Sequence, residues 1–204
     1  MFQRVSSDLV LVTLRETQTS GTPPPSLRIN PGAAFPPTHP TTRLCLDLLR
    51  EALGSGGINR LVDVGCGSGV LGLAAAVWGV PLVLAMDKAW EAAVITQLNA
   101  GENAPAGALL VIQGSTECVK GRFDLVVANL PWEVLMDKSA ELDRLAAPRG
   151  TLILSGFRDD QEEPLLENYT RLGWARRRRL VKYFRHPELP PDLSFNWAAW
   201  TLTR

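Results

Sequence analysis

Three short segments of the 204-residue chain combine residue types and spacings that could do chemistry. The first is Asp63-Val64-Gly65-Cys66-Gly67-Ser68-Gly69. Glycines at alternate positions let a backbone approach a ligand closely, and the helix start that should follow favours negative charge. Asp63, Gly65, Cys66, Gly67 and Gly69 are therefore candidates to hold a nucleotide-like cofactor. Gly67, Gly69 and Gly72 also satisfy the spacing of a dinucleotide turn, so a nicotinamide cofactor is one reading. The second segment ends in Asp87, with Lys88 beside it. A carboxylate there can accept both hydroxyls of an adenosine ribose, and each such charged hydrogen bond is worth roughly 1.5–3 kcal/mol. The third segment is Val127-Ala128-Asn129-Leu130-Pro131-Trp132.

The third segment separates the readings. Hydride transfer has no need of Asn-x-Pro-aromatic, whereas methyl transfer to nitrogen does. The Asn129 carboxamide oxygen and the Leu130 carbonyl can share the N–H of an amine or amide. Pro131 shapes the turn, and the Trp132 ring can lie against the acceptor. Such a displacement asks the protein to hold nucleophile and methyl about 3–3.5 Å apart in line. It calls for no metal, and the sequence points to none. A lysine acceptor, with a pKa near 10.4, must first lose a proton, which a cationic cofactor and burial both favour. A planar amino group needs no such step. Ser115, after Gln113-Gly114, is a candidate at the adenine, with Glu117 nearby.

These residues need strand ends to converge, and the apolar periodicity supplies them. Residues 60–64, 82–86, 108–112, 123–128 and 151–154 read as buried strands. Residues 41–53, 70–78, 90–100, 132–147 and 160–172 read as helices. Strand candidates at 180–184 and 196–202 follow without a helix between them. The expected class is α/β: a Rossmann-like, doubly wound, mostly parallel seven-stranded sheet with an antiparallel C-terminal edge. Ahead of it, 8–14 reads as a strand, 18–26 (QTSGTPPPS) as a loop and 27–30 as a short returning strand. The expected division is an extension over 1–40 and a transfer domain over 41–204.

Composition narrows the setting. Twenty-one Lys+Arg balance twenty-one Asp+Glu, against a globally basic nucleic-acid binder. Cys45, Cys66 and Cys118 are odd in number and widely spaced, which suits a reducing compartment and no disulfide framework. The apolar run at 9–14 is too short for a signal core or a membrane span, so a cytoplasmic protein with no membrane partner is expected. Arg176, Arg177, Arg178 and Arg179, with Lys182, form a local cationic stretch. A solvated edge is the plain reading, and RNA phosphates or an acidic protein are the alternatives. Trp174, Trp197 and Trp200 are expected to pack against the sheet.

The runs DVGCGSGVLGLAA, LAMD and FDLVVANLPW, with the turn Pro148-Arg149-Gly150, resemble a class I S-adenosylmethionine-dependent methyltransferase. Pro31-Gly32-Ala33-Ala34-Phe35 and the block Thr38-His39-Pro40-Thr41-Thr42 are similar to the ribosomal protein L-eleven methyltransferase family, as are Leu154-Ser155-Gly156 and Trp197-Ala198. The resemblance implies S-adenosylmethionine as cofactor, contacts at Thr42, Gly65, Asp87 and Asn129, and a covering loop with Phe35 and His39. It also implies N-methylation of a protein, with a ribosomal protein as the first candidate. The chain departs from the family in Pro36-Pro37, where the family has Gly-Thr-Gly. It has about 30 residues where the family carries a substrate-recognition domain. Leu130-Pro131-Trp132 is closer to enzymes that methylate exocyclic amino groups of RNA or DNA, the alternative acceptor. A third alternative is a catalytically idle, cofactor-binding partner subunit. The oligomeric state stays open.

Overall fold

The computed structural model describes residues 2–6, 9–13, 26–32, 36–184 and 195–204. The expected loop at 18–26 and the covering residue Phe35 fall largely or wholly outside them.

Runs that are apolar on both faces must be covered on both sides, and the sheet is. Strands β4 (Arg60–Val64), β5 (Leu82–Asp87), β6 (Leu109–Gln113), β7 (Phe123–Asn129), β8 (Ala146–Arg158), β9 (Ala175–Phe184) and β10 (Phe195–Thr203) form it. They are ordered β6-β5-β4-β7-β8-β10-β9. The first five run parallel, and β10 is antiparallel to both β8 and β9. The antiparallel edge is thus a pair, with β9 outermost. Helices α1 (Pro40–Gly54), α2 (Val70–Val77) and α3 (Trp90–Asn103) bury their apolar sides in one core layer. Helices α4 (Trp132–Asp137), α5 (Ser139–Leu145) and α6 (Glu162–Arg171) do so in the other.

Three places differ from the sequence reading. The single helix expected over 132–147 is two helices, α4 and α5. Ser139 Oγ takes the Met136 carbonyl at 3.0 Å, which ends α4 and turns the chain. The strand then begins at Ala146, before Pro148-Arg149-Gly150 rather than after it. Ala146 pairs with Phe123 and Thr151 with Leu125, so the proline, which has no N–H to give, sits in the bulge between them. At the N-terminus a strand not foreseen, β1 (Phe2–Ser6), pairs antiparallel with β2 (Leu9–Thr13), while β3 (Ser26–Ile29) pairs parallel with β2 rather than returning against it.

Candidate functional site

The carboxyl ends of β4, β5 and β7 open into one cleft of about 770 Å³, a size typical of small-molecule sites. It lies where strand order reverses, between β4 and β7, the usual ligand position in an open α/β sheet. A second, more open depression beside α6 is lined by carboxylates and arginines and includes none of the candidate site residues.

The glycine turn is held from beneath. The Gly65 and Cys66 N–H groups donate to the Met86 carbonyl at 2.8 and 3.0 Å, and Gly69 N–H to the Cys66 carbonyl at 2.7 Å. Gly65 has φ +72°, and a Cβ there would stand 2.3 Å from Leu130 Cδ2. Glycine at this position is what lets the Leu130 side chain lie directly on the first turn. Asp87 ties the second motif to the first, since its Oδ2 accepts Gly67 N–H at 3.0 Å and its Oδ1 accepts Ala89 N–H at 2.9 Å. A carboxylate oxygen has more than one acceptor position, so each can still take a ribose hydroxyl.

The other candidates divide into those that line the cleft and those that support it. Gly65, Gly67, Asp87, Lys88, Ser115, Asn129, Leu130 and Pro131 line it, as does His39. Asp63, Cys66, Gly69, Thr42 and Trp132 lie outside the lining. Asp63, 1% exposed, accepts Gly72 N–H at 2.9 Å and so holds the start of α2. Burial, reinforced by the charge of Asp87 and opposed by the Gly72 N–H, pushes its carboxyl up to about 7. The Cys66 thiol is buried beside the Thr96 hydroxyl, and burial raises its pKa. Gly69 is the residue that caps α2. Thr42, 2% exposed, receives the Asn129 side-chain N–H at 3.5 Å, which turns the carboxamide oxygen away from it. The Trp132 indole N–H donates to the Gln161 carbonyl at 3.1 Å, and its half-buried ring packs against the α4–α6 layer outside the cleft lining.

An aromatic wall comes instead from Trp197 on β10. Its ring meets His39 edge-on at 5.0 Å, and its buried indole N–H has no partner. His39 itself caps α1 through Thr41, and partial burial lowers its pKa. Met86 and Val134 supply apolar walls, and Thr41, Gly156 and Lys138 also face the cleft. Lys138 holds Glu117 at 2.8 Å, which keeps that carboxylate well below its usual range. Met86 was within reach of sequence reasoning, being next to Asp87. Trp197 belongs to a segment that carries the family resemblance, but the order of strands is what brings its ring here. Trp174 and Trp200 are buried as expected.

The arginines of β9 have partners within the protein. Arg178 pairs with Glu51 at 3.3 Å and Arg179 with Glu162 at 2.8 Å. Arg177 donates to Thr203, and Arg176 lies over the Trp200 ring. Among the described residues no helix is long and apolar enough to cross a membrane.

Sheet order and cleft together define the class: a Rossmann-like domain of the methyltransferase type. The profile described as ribosomal protein L11 methyltransferase (PrmA) matches residues 3–182, and the chain belongs to that family. It is 36% identical over 176 residues to the ribosomal protein L11 methyltransferase of Syntrophotalea carbinolica, covering 84% of this chain and 56% of the relative. It is 33% identical to that of Geotalea uraniireducens, covering 83% and 58%. The chain thus spans little more than half the length of these curated relatives. A crystal structure of ribosomal protein L11 methylase from Lactobacillus delbrueckii subsp. bulgaricus superimposes with a TM-score of 0.80 at 27% identity, covering 100% of this chain and 98% of that one. The magnesium protoporphyrin IX methyltransferase of Synechocystis, crystallised with bound SAM, shares the fold at 20% identity and a TM-score of 0.58, covering 80% of this chain and 82% of its own.

Proposed function

We propose that this chain is an S-adenosylmethionine-dependent methyltransferase acting on an amine nitrogen of a protein, with a ribosomal protein as substrate. One observation carries the reading: Asn129 and Leu130 line the same cleft as the Asp87 carboxylate, with the Leu130 side chain packed on Gly65. The cleft fits the cofactor by the chemistry of its lining. Asp87 offers acceptors for a ribose, Gly114 and Ser115 with Met86 and Val134 form a slot for a planar base, and Gly65 and Gly67 leave backbone exposed beside it. When bound, S-adenosylmethionine supplies a methyl group already activated by the sulfonium charge. The protein's residues do the positioning. Asn129, turned by Thr42, aims its carboxamide oxygen at one acceptor N–H, and the Leu130 carbonyl accepts a second N–H of the same amine, which leaves its lone pair free to face the methyl. Thr42, Asp63, Cys66 and Gly69 hold these groups in place from outside the cleft.

The placement of Trp132 favours an amine over a nucleobase, since the ring that would stack on a planar acceptor packs against the α4–α6 layer, outside the cleft lining. Within the cationic stretch, the pairing of Arg178 with Glu51 and Arg179 with Glu162 offsets two of the four charges. We assign residues 1–40 as an accessory segment and 41–204 as the transfer domain. Its free thiols suit the cytoplasm.

Calorimetric titration with S-adenosylmethionine and, separately, NAD tests the cofactor on wild type and Asp87→Ala. Micromolar binding of the first alone, lost in the variant, is expected, followed by transfer of labelled methyl to a ribosomal protein fraction. Label in RNA would replace the acceptor assignment. Tight cofactor binding without transfer to any fraction would make the chain an idle partner, and binding of NAD alone would overturn the reading.

A further inference from the structure

The turn that follows β6 closes one side of the slot assigned to a planar base. Gly114, Ser115 and Thr116 all line the cleft there, and Thr116 begins a 3-10 turn that runs to Cys118. Arg144 of α5 fixes this turn from behind. Its guanidinium donates to the Thr116 carbonyl at 2.8 Å and to the Val119 carbonyl at 2.7 Å, while Glu141 accepts its Nε–H at 3.0 Å. A planar fork that reaches two carbonyls at once holds the turn in one place.

Within the turn, Glu117 collects hydroxyl protons. Its Oε2 accepts the Thr116 hydroxyl at 3.3 Å, and the Ser115 hydroxyl also hydrogen-bonds the carboxylate. Lys138, itself in the cleft lining, donates to Oε1 at 2.8 Å. Lys138 above all, with the Ser115 hydroxyl second, holds the carboxyl well below its usual range and so keeps it ionised. An ionised carboxylate only accepts, so both hydroxyls donate to it. A hydroxyl has one proton and two lone pairs, and with the proton committed it offers the cleft acceptors alone. The Glu117 side chain is 54% exposed, where an ion pair adds little to stability, so folding does not account for the arrangement.

The order of strands decides what those acceptors meet. Asp87 at the end of β5 is assigned to the ribose, and the 114–116 turn continues β6, the next strand out. A purine on that ribose turns its far edge toward Ser115 and Thr116. That edge carries the exocyclic group that is an amine in adenine and a carbonyl in hypoxanthine. We propose that Glu117 is a positioning residue that sets base specificity through Ser115 and Thr116, making the slot accept adenine and reject hypoxanthine. The inference rests on the cofactor reading above. An amine donates to the hydroxyl oxygens, whereas a carbonyl would set lone pair against lone pair and leave the site's polar groups unmatched.

Calorimetry with S-adenosylhomocysteine and S-inosylhomocysteine, which differ only in the base, tests it. Wild type should prefer the adenine ligand by about tenfold or more. In Glu117→Ala the two hydroxyls regain free rotation and can donate, so the preference should shrink to about twofold. S-inosylhomocysteine should bind the variant at least as tightly as wild type. A turn that is merely loosened would weaken both ligands together and keep their ratio. Wild type without a preference, a variant that keeps the wild-type ratio, or a variant that binds S-inosylhomocysteine more weakly overturns the proposal. Wild-type protein that binds neither S-adenosylhomocysteine nor S-adenosylmethionine overturns the cofactor reading, and this inference with it.

Discussion

Replacing Gly156 with alanine isolates the contact that sets the acceptor turn. Gly156 lies at the bulge in β8, where Ala198 pairs with Phe157 and Ala199 with Ser155. Its φ is +100°, and a Cβ there would stand 2.1 Å from the Leu130 carbonyl oxygen, 2.7 Å from its carbon and 2.9 Å from its nitrogen. These are backbone atoms, further tethered by Leu130 N–H donating to the Ser155 carbonyl at 3.0 Å, so they cannot swing aside as a side-chain tip would. Two penalties add: about 1–3 kcal/mol for the backbone conformation and about 1–3 kcal/mol for the overlap. Gly173 separates them, having φ +87° and nothing within 4 Å of its would-be Cβ. Gly173→Ala should therefore show the first penalty alone. At about 2–4 °C per kcal/mol for a chain of this size, the midpoint of Gly156→Ala should fall several degrees below that of Gly173→Ala in a thermal melt. Because the displaced atom is a carbonyl assigned to the acceptor, a shift of about 1 Å should also cut labelled-methyl transfer on the order of 100-fold, with the Gly173 variant near wild type. Coincident midpoints and full transfer in the Gly156 variant would refute the reasoning.

Asp63 contributes a pH dependence whose sign follows from its raised pKa. Between an unfolded value near 3.9 and the folded value of about 7, the folded state binds more protons, so this residue's contribution is fully present at low pH and lost as pH rises, at about 1.4 kcal/mol per unit. Asp63→Asn should gain stability relative to wild type from pH 4 to pH 7 in urea titrations and level off above. A difference that is flat across that range would count against the buried carboxyl. Trp132→Phe keeps an aromatic side chain but loses the pyrrole ring with its N–H to Gln161, so it should cost about 1 kcal/mol or more of stability, and a variant as stable as wild type would show that bond to be idle. Asn129→Ala should keep S-adenosylmethionine affinity within a few-fold while transfer falls by about 100-fold or more. Full transfer with unchanged affinity would remove Asn129 from its assigned role.

Gly65, Asp87 and Asn129 end apolar runs, and in a parallel sheet the ends of such runs converge by construction, so residues far apart in the chain reach one cleft without knowledge of packing. The antiparallel pair 180–184 and 196–202 was legible too, since the segment between the two runs, with Pro187, Pro190 and Pro191, carries no helical pattern. The break between α4 and α5 was not, because it depends on one hydroxyl, that of Ser139, satisfying one carbonyl. Nor was the sorting of Asp63 from Asp87. Both are strand aspartates, and only the α2 backbone over one and the open cleft beside the other give them different work. The exchange of Trp132 for Trp197 shows where the limit lies. Residue type and spacing put an aromatic ring next to Asn129, but which ring faces the cleft was decided by β10 inserting between β8 and β9, a long-range pairing that no local pattern encodes.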